Sequence, residues 1–234
     1  MTSFALKIIA LISMFLDHIS YPLYGGYSYL NLLGRIAFPI FAFQISEGFI
    51  HTKSVKKYAL RLGLFAIISQ IPFQLFHQKF IDPNSITLNV FFTLLFGLMA
   101  IIIYDYLKKG IGNNEKNKYH IEIILGLIIT CLIGYMAELL KTDYGFWGVI
   151  VVFMFYLFKE NKLAMIVAYI TLCVIKYGYR LITYGYNTPT LLLGIFTTLS
   201  IVFISIYKGK QGKKIKYLLY FFYPVHLLLL YLIF

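Results

Sequence analysis

Three stretches of this sequence place ionisable side chains inside otherwise apolar runs. Asp17 and His18 lie in MFLDHI, Arg35 and Glu47 in GRIAFPIFAFQISEGFIH, and His226 in YFFYPVHLLLL, two residues after Pro224. A charge at the centre of a helix in lipid costs on the order of 3 kcal/mol, so such residues face protein or water and pair with one another. A neutral imidazole can accept or donate a proton near neutral pH, which makes two such histidines beside a carboxylate and a guanidinium a candidate proton-handling site. His18 is the candidate base and Asp17 its candidate orienting group. Arg35 and His226 are the candidates to stabilise developing negative charge. Other roles stand beside these. Adjacent helical residues point about 100° apart, so Asp17 can equally pair with Arg35. Either histidine can simply join two helices through a hydrogen bond.

A second group lies toward the other end of the same elements. Glu47 and His51 are four residues apart and share a helical face. Lys56, Lys57 and Arg61 follow at the start of the next apolar run. Basic groups there can be ordinary orientation charges, or they can bind the phosphates of an anionic cofactor, and Glu47 with His51 can be a solvated helix end. Asn89, Glu138 and Lys176 sit near span ends, where they could pair in further cavities. Cys131 and Cys173 fall within apolar runs and form neither a C-x-x-C nor a metal-ligand spacing, so no metal is expected.

The elements that must position these residues follow from composition. The chain of 234 residues is 60% hydrophobic and 13% charged, against roughly 25% charged in soluble domains, which excludes a water-soluble globule. Apolar runs near the roughly 20 residues that cross a bilayer succeed one another at about 4–21, 29–50, 57–76, 88–107, 121–140, 145–158, 163–178, 189–207 and 217–234. The expected fold is all-α, a polytopic transmembrane helical bundle of about nine spans, with eight or ten open, forming one domain over 1–234. The first run holds Asp17 and His18 and has no small-residue cleavage site, so it reads as a retained span rather than a signal peptide.

Lysines and arginines set the orientation. Alternate connections hold fourteen and three of them, and the remaining four of the twenty-one, Lys7, Arg35, Arg61 and Lys176, lie within spans. That bias places the N-terminus in the cytoplasm, the C-terminus outside and the protein in the cytoplasmic membrane. The net charge of +12 is therefore an orientation signal, and no basic face with recognition chemistry points to nucleic acid. The connections at 108–118 and 208–216 read as hydrophilic cytoplasmic loops. Tyr21, Tyr24, Tyr27 and Tyr29 read as interfacial anchors.

Six blocks in chain order, LKIIALISMFLDHI, GRIAFPIFAFQISEGFIHT, KKYALRLGLFAIISQIPFQL, LNVFFTLLFGL, DYGFWGVIVVFMFY and KYLLYFFYPVHLLLLYLI, resemble the TraX family of membrane proteins associated with N-terminal acetylation of conjugative pilin. The resemblance runs from residue 6 to the end of the chain. It implies acetyl transfer from cytoplasmic acetyl-CoA to an amine, or a hydroxyl, on a pilin-like, peptide or cell-surface acceptor, and kinship with larger families of multi-span membrane acyltransferases. It also implies a working His near the outer end of the first span and an Arg nearby, here His18 and Arg35. Arg61, with Lys56, Lys57, Glu47 and His51, is then the expected acetyl-CoA mouth. The competing class is a proton-coupled transporter or channel using Asp17, His18, Glu47 and Glu138. Against it, the two halves show no repeat and no matching pair of Gly/Pro-broken spans.

Overall fold

The computed structural model describes residues 1–109 and 118–234, which form ten α-helices. These are α1 (Ser3–Tyr24), α2 (Tyr29–Gly34), α3 (Ala37–His51), α4 (Val55–Phe80), α5 (Val90–Lys108), α6 (Lys118–Leu139), α7 (Gly145–Leu157), α8 (Lys162–Tyr184), α9 (Thr188–Ser205) and α10 (Lys216–Ile233). Seven segments are long and apolar enough to cross a membrane, with α2 and α3 counting as the single segment Tyr29–His51. The remaining α7 and α10 are shorter apolar helices, so the segments expected from the sequence are all present. Residues 110–117 of the connection read over 108–118, Lys116 among them, lie outside the described residues.

The second span, one run over 29–50 in the sequence, is two helices: the chain breaks one turn before Pro39, at Arg35 and Ile36, where Arg35 N–H donates to Leu32 O and Ile36 N–H to Leu33 O. Pro39 lacks the N–H that the Arg35 carbonyl would need, and its ring crowds that carbonyl. A tight turn resolves both, and Pro39 then sits in the first turn of α3, where no N–H is missed. The break frees Arg35 to turn toward α1. Helix α8 extends beyond the run at 163–178, to Tyr184; its last two turns carry Tyr179, Arg180, Ile182 and Tyr184, all exposed, which in the sequence resembles a connection.

At the centre lies α7, whose residues Val149 and Val151–Tyr156 are all buried. A helix apolar on every side belongs inside protein, and one flanked by other helices need not itself match the bilayer thickness, which accounts for its 13 residues. Helices α6 and α8 instead expose Ile124, Leu127, Leu132, Leu163, Val174 and Ile175, as a lipid-facing surface requires.

Main-chain hydrogen bonds fix the two ends of the bundle. At one end Ser3 N–H donates to Lys210 O at 2.8 Å and Phe4 N–H to Gln211 O at 3.0 Å, tying the N-terminus to the α9–α10 connection. At the other, Leu88 N–H donates to Lys141 O at 3.0 Å and Asp143 N–H to Leu88 O at 2.8 Å, tying the α4–α5 and α6–α7 connections together. The lysine-rich connections share the first end.

Candidate active site

Residue His18 stands just over four turns into α1, roughly 22 Å from its start at 1.5 Å per residue. Its Nδ1 lies 2.7 Å from Nε2 of His226 on α10. The other nitrogen of His226, Nδ1, lies 2.6 Å from the carbonyl oxygen of Phe222, one turn back in the same helix. A carbonyl only accepts, so His226 Nδ1 carries a proton. With both rings neutral, His226 Nε2 is then an acceptor and His18 Nδ1 its donor, which leaves the lone pair of His18 Nε2 free. The chain Phe222 O, His226, His18 thus fixes one tautomer of His18. Phe76 and Tyr223 stand edge-on to the His18 ring at 5.5 and 6.0 Å and hold its plane.

Neighbouring Asp17 does not hold His18. Its Oδ1 accepts from Asn31 Nδ2 at 2.7 Å and forms an ion pair with Arg35, so of the two alternatives open in the sequence the structure takes the Asp17–Arg35 pair. The 100° between adjacent helical positions turns the carboxylate toward α2 while the imidazole turns toward α10. Arg35 Nε also donates to Asn31 O at 3.4 Å. Gly34 makes this approach possible: a Cβ there would fall 2.3 Å from Asp17 Cβ and 2.7 Å from its Cα. The structure likewise turns His226 toward His18 as its hydrogen-bond partner.

His18, Asp17 and Arg35 line one cavity of about 210 Å³, together with Tyr21, Phe38, Phe76, His77, Asp143, Tyr144 and Tyr223. A larger cavity of about 630 Å³ opens toward the lysine-rich end, within the range of small-ligand sites. Its polar lining includes Lys7, Gln44, Glu47, His51, Tyr58 and Arg61. Met14, Phe41, Val90 and Tyr223 line both cavities, so the two adjoin.

Of the residues read as a cofactor mouth, Glu47, His51 and Arg61 face the larger cavity. Lys56 and Lys57 are exposed and do not line it, because they precede the α4 face that turns inward at Tyr58 and Arg61. His51 Nε2 lies 3.5 Å from Glu47 Oε2, and the Tyr207 hydroxyl donates to the same carboxylate. Burial and that carboxylate hold the Tyr207 phenol above its ordinary range, so it remains a donor. The Arg61 guanidinium bonds the Tyr220 hydroxyl.

Asn89, Glu138 and Lys176 do not pair with one another. Asn89 Nδ2 donates to Gln70 Oε1 at 2.8 Å and Ala66 O at 2.7 Å. Glu138 Oε2 accepts from Phe146 N–H at 2.9 Å, and the Lys176 ammonium sits 3.7 Å above the Trp147 ring. Sequence reasoning gave no role to Lys7 or Asp143. Lys7 carries its own signal as a charge within an apolar run, and Asp143 opens the block DYGFWG. Among the described residues no three His, Cys, Asp or Glu side chains cluster as metal ligands.

Comparison with known proteins places this arrangement in context. The chain is 29% identical over 248 residues to a probable fimbrial assembly protein FimC of serogroup H1 from Dichelobacter nodosus, a match that covers 98% of this chain and 94% of that protein. No solved structure matches the chain. The model of the TraX protein family matches residues 3–234, and the chain therefore belongs to the TraX family.

Proposed function

We propose that the protein is a membrane acetyltransferase that moves an acetyl group from acetyl-CoA to an amine, such as the N-terminus of a pilin-like or other peptide. The observation that carries this reading is the free Nε2 of His18, oriented by His226, in a small cavity that adjoins a larger one lined by Lys7 and Arg61. Family membership and the fimbrial relative support a role in pilin assembly or processing.

In this reading the CoA phosphates lie by Lys7 and Arg61 at the lysine-rich, cytoplasmic mouth, and the thioester reaches toward Tyr223. An acceptor ammonium first loses one proton to solvent. The resulting amine attacks the acetyl carbonyl, and His18 Nε2 takes a second proton from its nitrogen. Arg35, held by Asp17, lines the same cavity and faces the developing oxyanion. The C–S bond breaks and His18 returns its proton to the thiolate. The products are the acetylated amine, CoA thiol and one proton. A hydroxyl acceptor follows the same course without the first deprotonation.

Two adjoining cavities would also serve a transporter of small substrates, and one assay separates the readings. Purified protein in detergent is incubated with acetyl-CoA and the tripeptide Ala-Gly-Gly-amide. The acetyltransferase reading expects a peptide heavier by one acetyl group, and thermal stabilisation by CoA alone through mass action. No acetylated peptide and no stabilisation would overturn it in favour of the transporter.

A further inference from the structure

Asp143 lines the same cavity as His18 yet holds no partner there: among the described residues no Lys, Arg or His nitrogen lies within ion-pair distance of its carboxylate. The two cations whose charge reaches it are committed elsewhere. Arg35 is paired with Asp17, and the Lys176 ammonium lies on the Trp147 ring. Its side chain lines the cavity that holds His18, Asp17 and Arg35.

The backbone under Asp143 is fixed on both sides. Its own N–H donates to Leu88 O, and Leu88 N–H returns to Lys141 O, so the connection is stitched to the one between α4 and α5. Lys141 takes the left-handed conformation at φ 51°, which a non-glycine residue adopts at a cost on the order of 1–3 kcal/mol. Gly145 follows at φ 50°, and a Cβ there would fall 2.1 Å from Glu138 Oε2, the atom that caps Phe146 N–H. A strained, capped and twice-bonded turn presents one unpaired carboxylate to a cavity beside a proton acceptor.

We propose that Asp143 is the binding residue for the acceptor's ammonium group, so that the cavity selects cationic amines and receives them from the end opposite the lysine-rich mouth. The proposal rests on the acetyltransferase reading above and names its acceptor class. Held by Asp143, the ammonium faces His18 Nε2 across the cavity, and once it has lost its proton the amine lone pair is free to attack. A neutral hydroxyl acceptor can donate a hydrogen bond to the carboxylate but forms no ion pair with it, and the side-chain oxygen of an asparagine would accept that bond equally.

The test compares wild type with Asp143→Asn, using acetyl-CoA and two acceptors of the same skeleton, Ala-Gly-Gly-amide and its hydroxyl counterpart lactyl-Gly-Gly-amide. Loss of a charge-assisted hydrogen bond should raise KM for the amine about tenfold or more while kcat and KM for the hydroxyl change by less than about twofold. Thermal stabilisation by CoA should match wild type, which shows that the variant folds and keeps its donor site. An unchanged amine KM, or an equal rise for both acceptors, would overturn the proposal while leaving the acetyltransferase reading in place. Failure of wild type to acetylate either acceptor would instead overturn that reading, and this inference with it.

Discussion

His18 Nδ1 and His226 Nε2 face each other at 2.7 Å although 208 residues separate them in the chain. Because the far nitrogen of His226 is tied to a carbonyl, the pair has a direction: protons are donated toward Phe222, and the lone pair is left on the His18 side that faces the cavity. A positioning histidine of this kind makes a specific kinetic prediction. His226→Ala should lower kcat about tenfold to a hundredfold, part of the roughly 10²–10⁴ that a positioned base contributes, with KM for acetyl-CoA unchanged. His226→Asn, whose side-chain oxygen can still accept from His18, should recover part of the loss. Equal losses for both variants would mean that His226 only packs.

Asp17 and Arg35 are expected to act on stability. Removing the carboxylate with Asp17→Ala leaves a half-buried guanidinium and Asn31 Nδ2 without their acceptor, a cost of roughly 1–3 kcal/mol. Thermal melting in detergent should show a lower midpoint than wild type. If the midpoint holds and only activity falls, Asp17 touches the reaction directly.

Gly34→Ala should be damaging out of proportion to one methyl group, because the new Cβ would lie within 2.7 Å of Asp17 backbone. Helices α1 and α2 must separate, which also pulls Arg35 away from the cavity. Gly178→Ala in α8 meets nothing within 4 Å and is the matched control. The first variant should lose thermal stability and the second should keep it.

The sequence made the interior groups legible because a charge in an apolar run has few reasons to be there. His18, Arg35, His226 and Asp17 were all found by that cost, and so were the segments that carry them. What it could not show was which of them touch. Asp17 and His18 are adjacent in the chain but face different helices, and the orienting partner of His18 arrives from the last helix. Lys56 and Lys57 looked like cofactor groups because charge in a sequence carries no direction, whereas the α4 face turned inward begins at Tyr58. Asp143 carries no such signal, because an acidic residue in a polar connection is ordinary; only the tied backbone and the pairing of its neighbours set it apart.

At the larger cavity, Arg61 and Lys57 should separate cleanly. Arg61→Ala should weaken thermal stabilisation by CoA by about tenfold in the concentration required, whereas Lys57→Ala should change it by less than about twofold. The opposite ranking would place the donor phosphates outside the cavity.

Asp143 gives the account a pH signature. Burial, with Asp17 adding to it and Arg35 and Lys176 opposing, raises the Asp143 carboxyl to about 6. It is ionised at neutral pH and becomes neutral as pH falls through about 6. The ratio of KM for Ala-Gly-Gly-amide to KM for its hydroxyl counterpart should therefore rise below pH 6, and this rise should vanish in Asp143→Asn. Any change in the base itself affects both acceptors and cancels in the ratio.

The most direct test of the central claim is acceptor-dependent release of CoA thiol from acetyl-CoA by wild type and by His18→Ala, with CoA-induced thermal stabilisation measured on both. The account predicts release by wild type, stabilisation of both proteins and a loss of release of at least about a hundredfold in His18→Ala. Undiminished release by His18→Ala would contradict it.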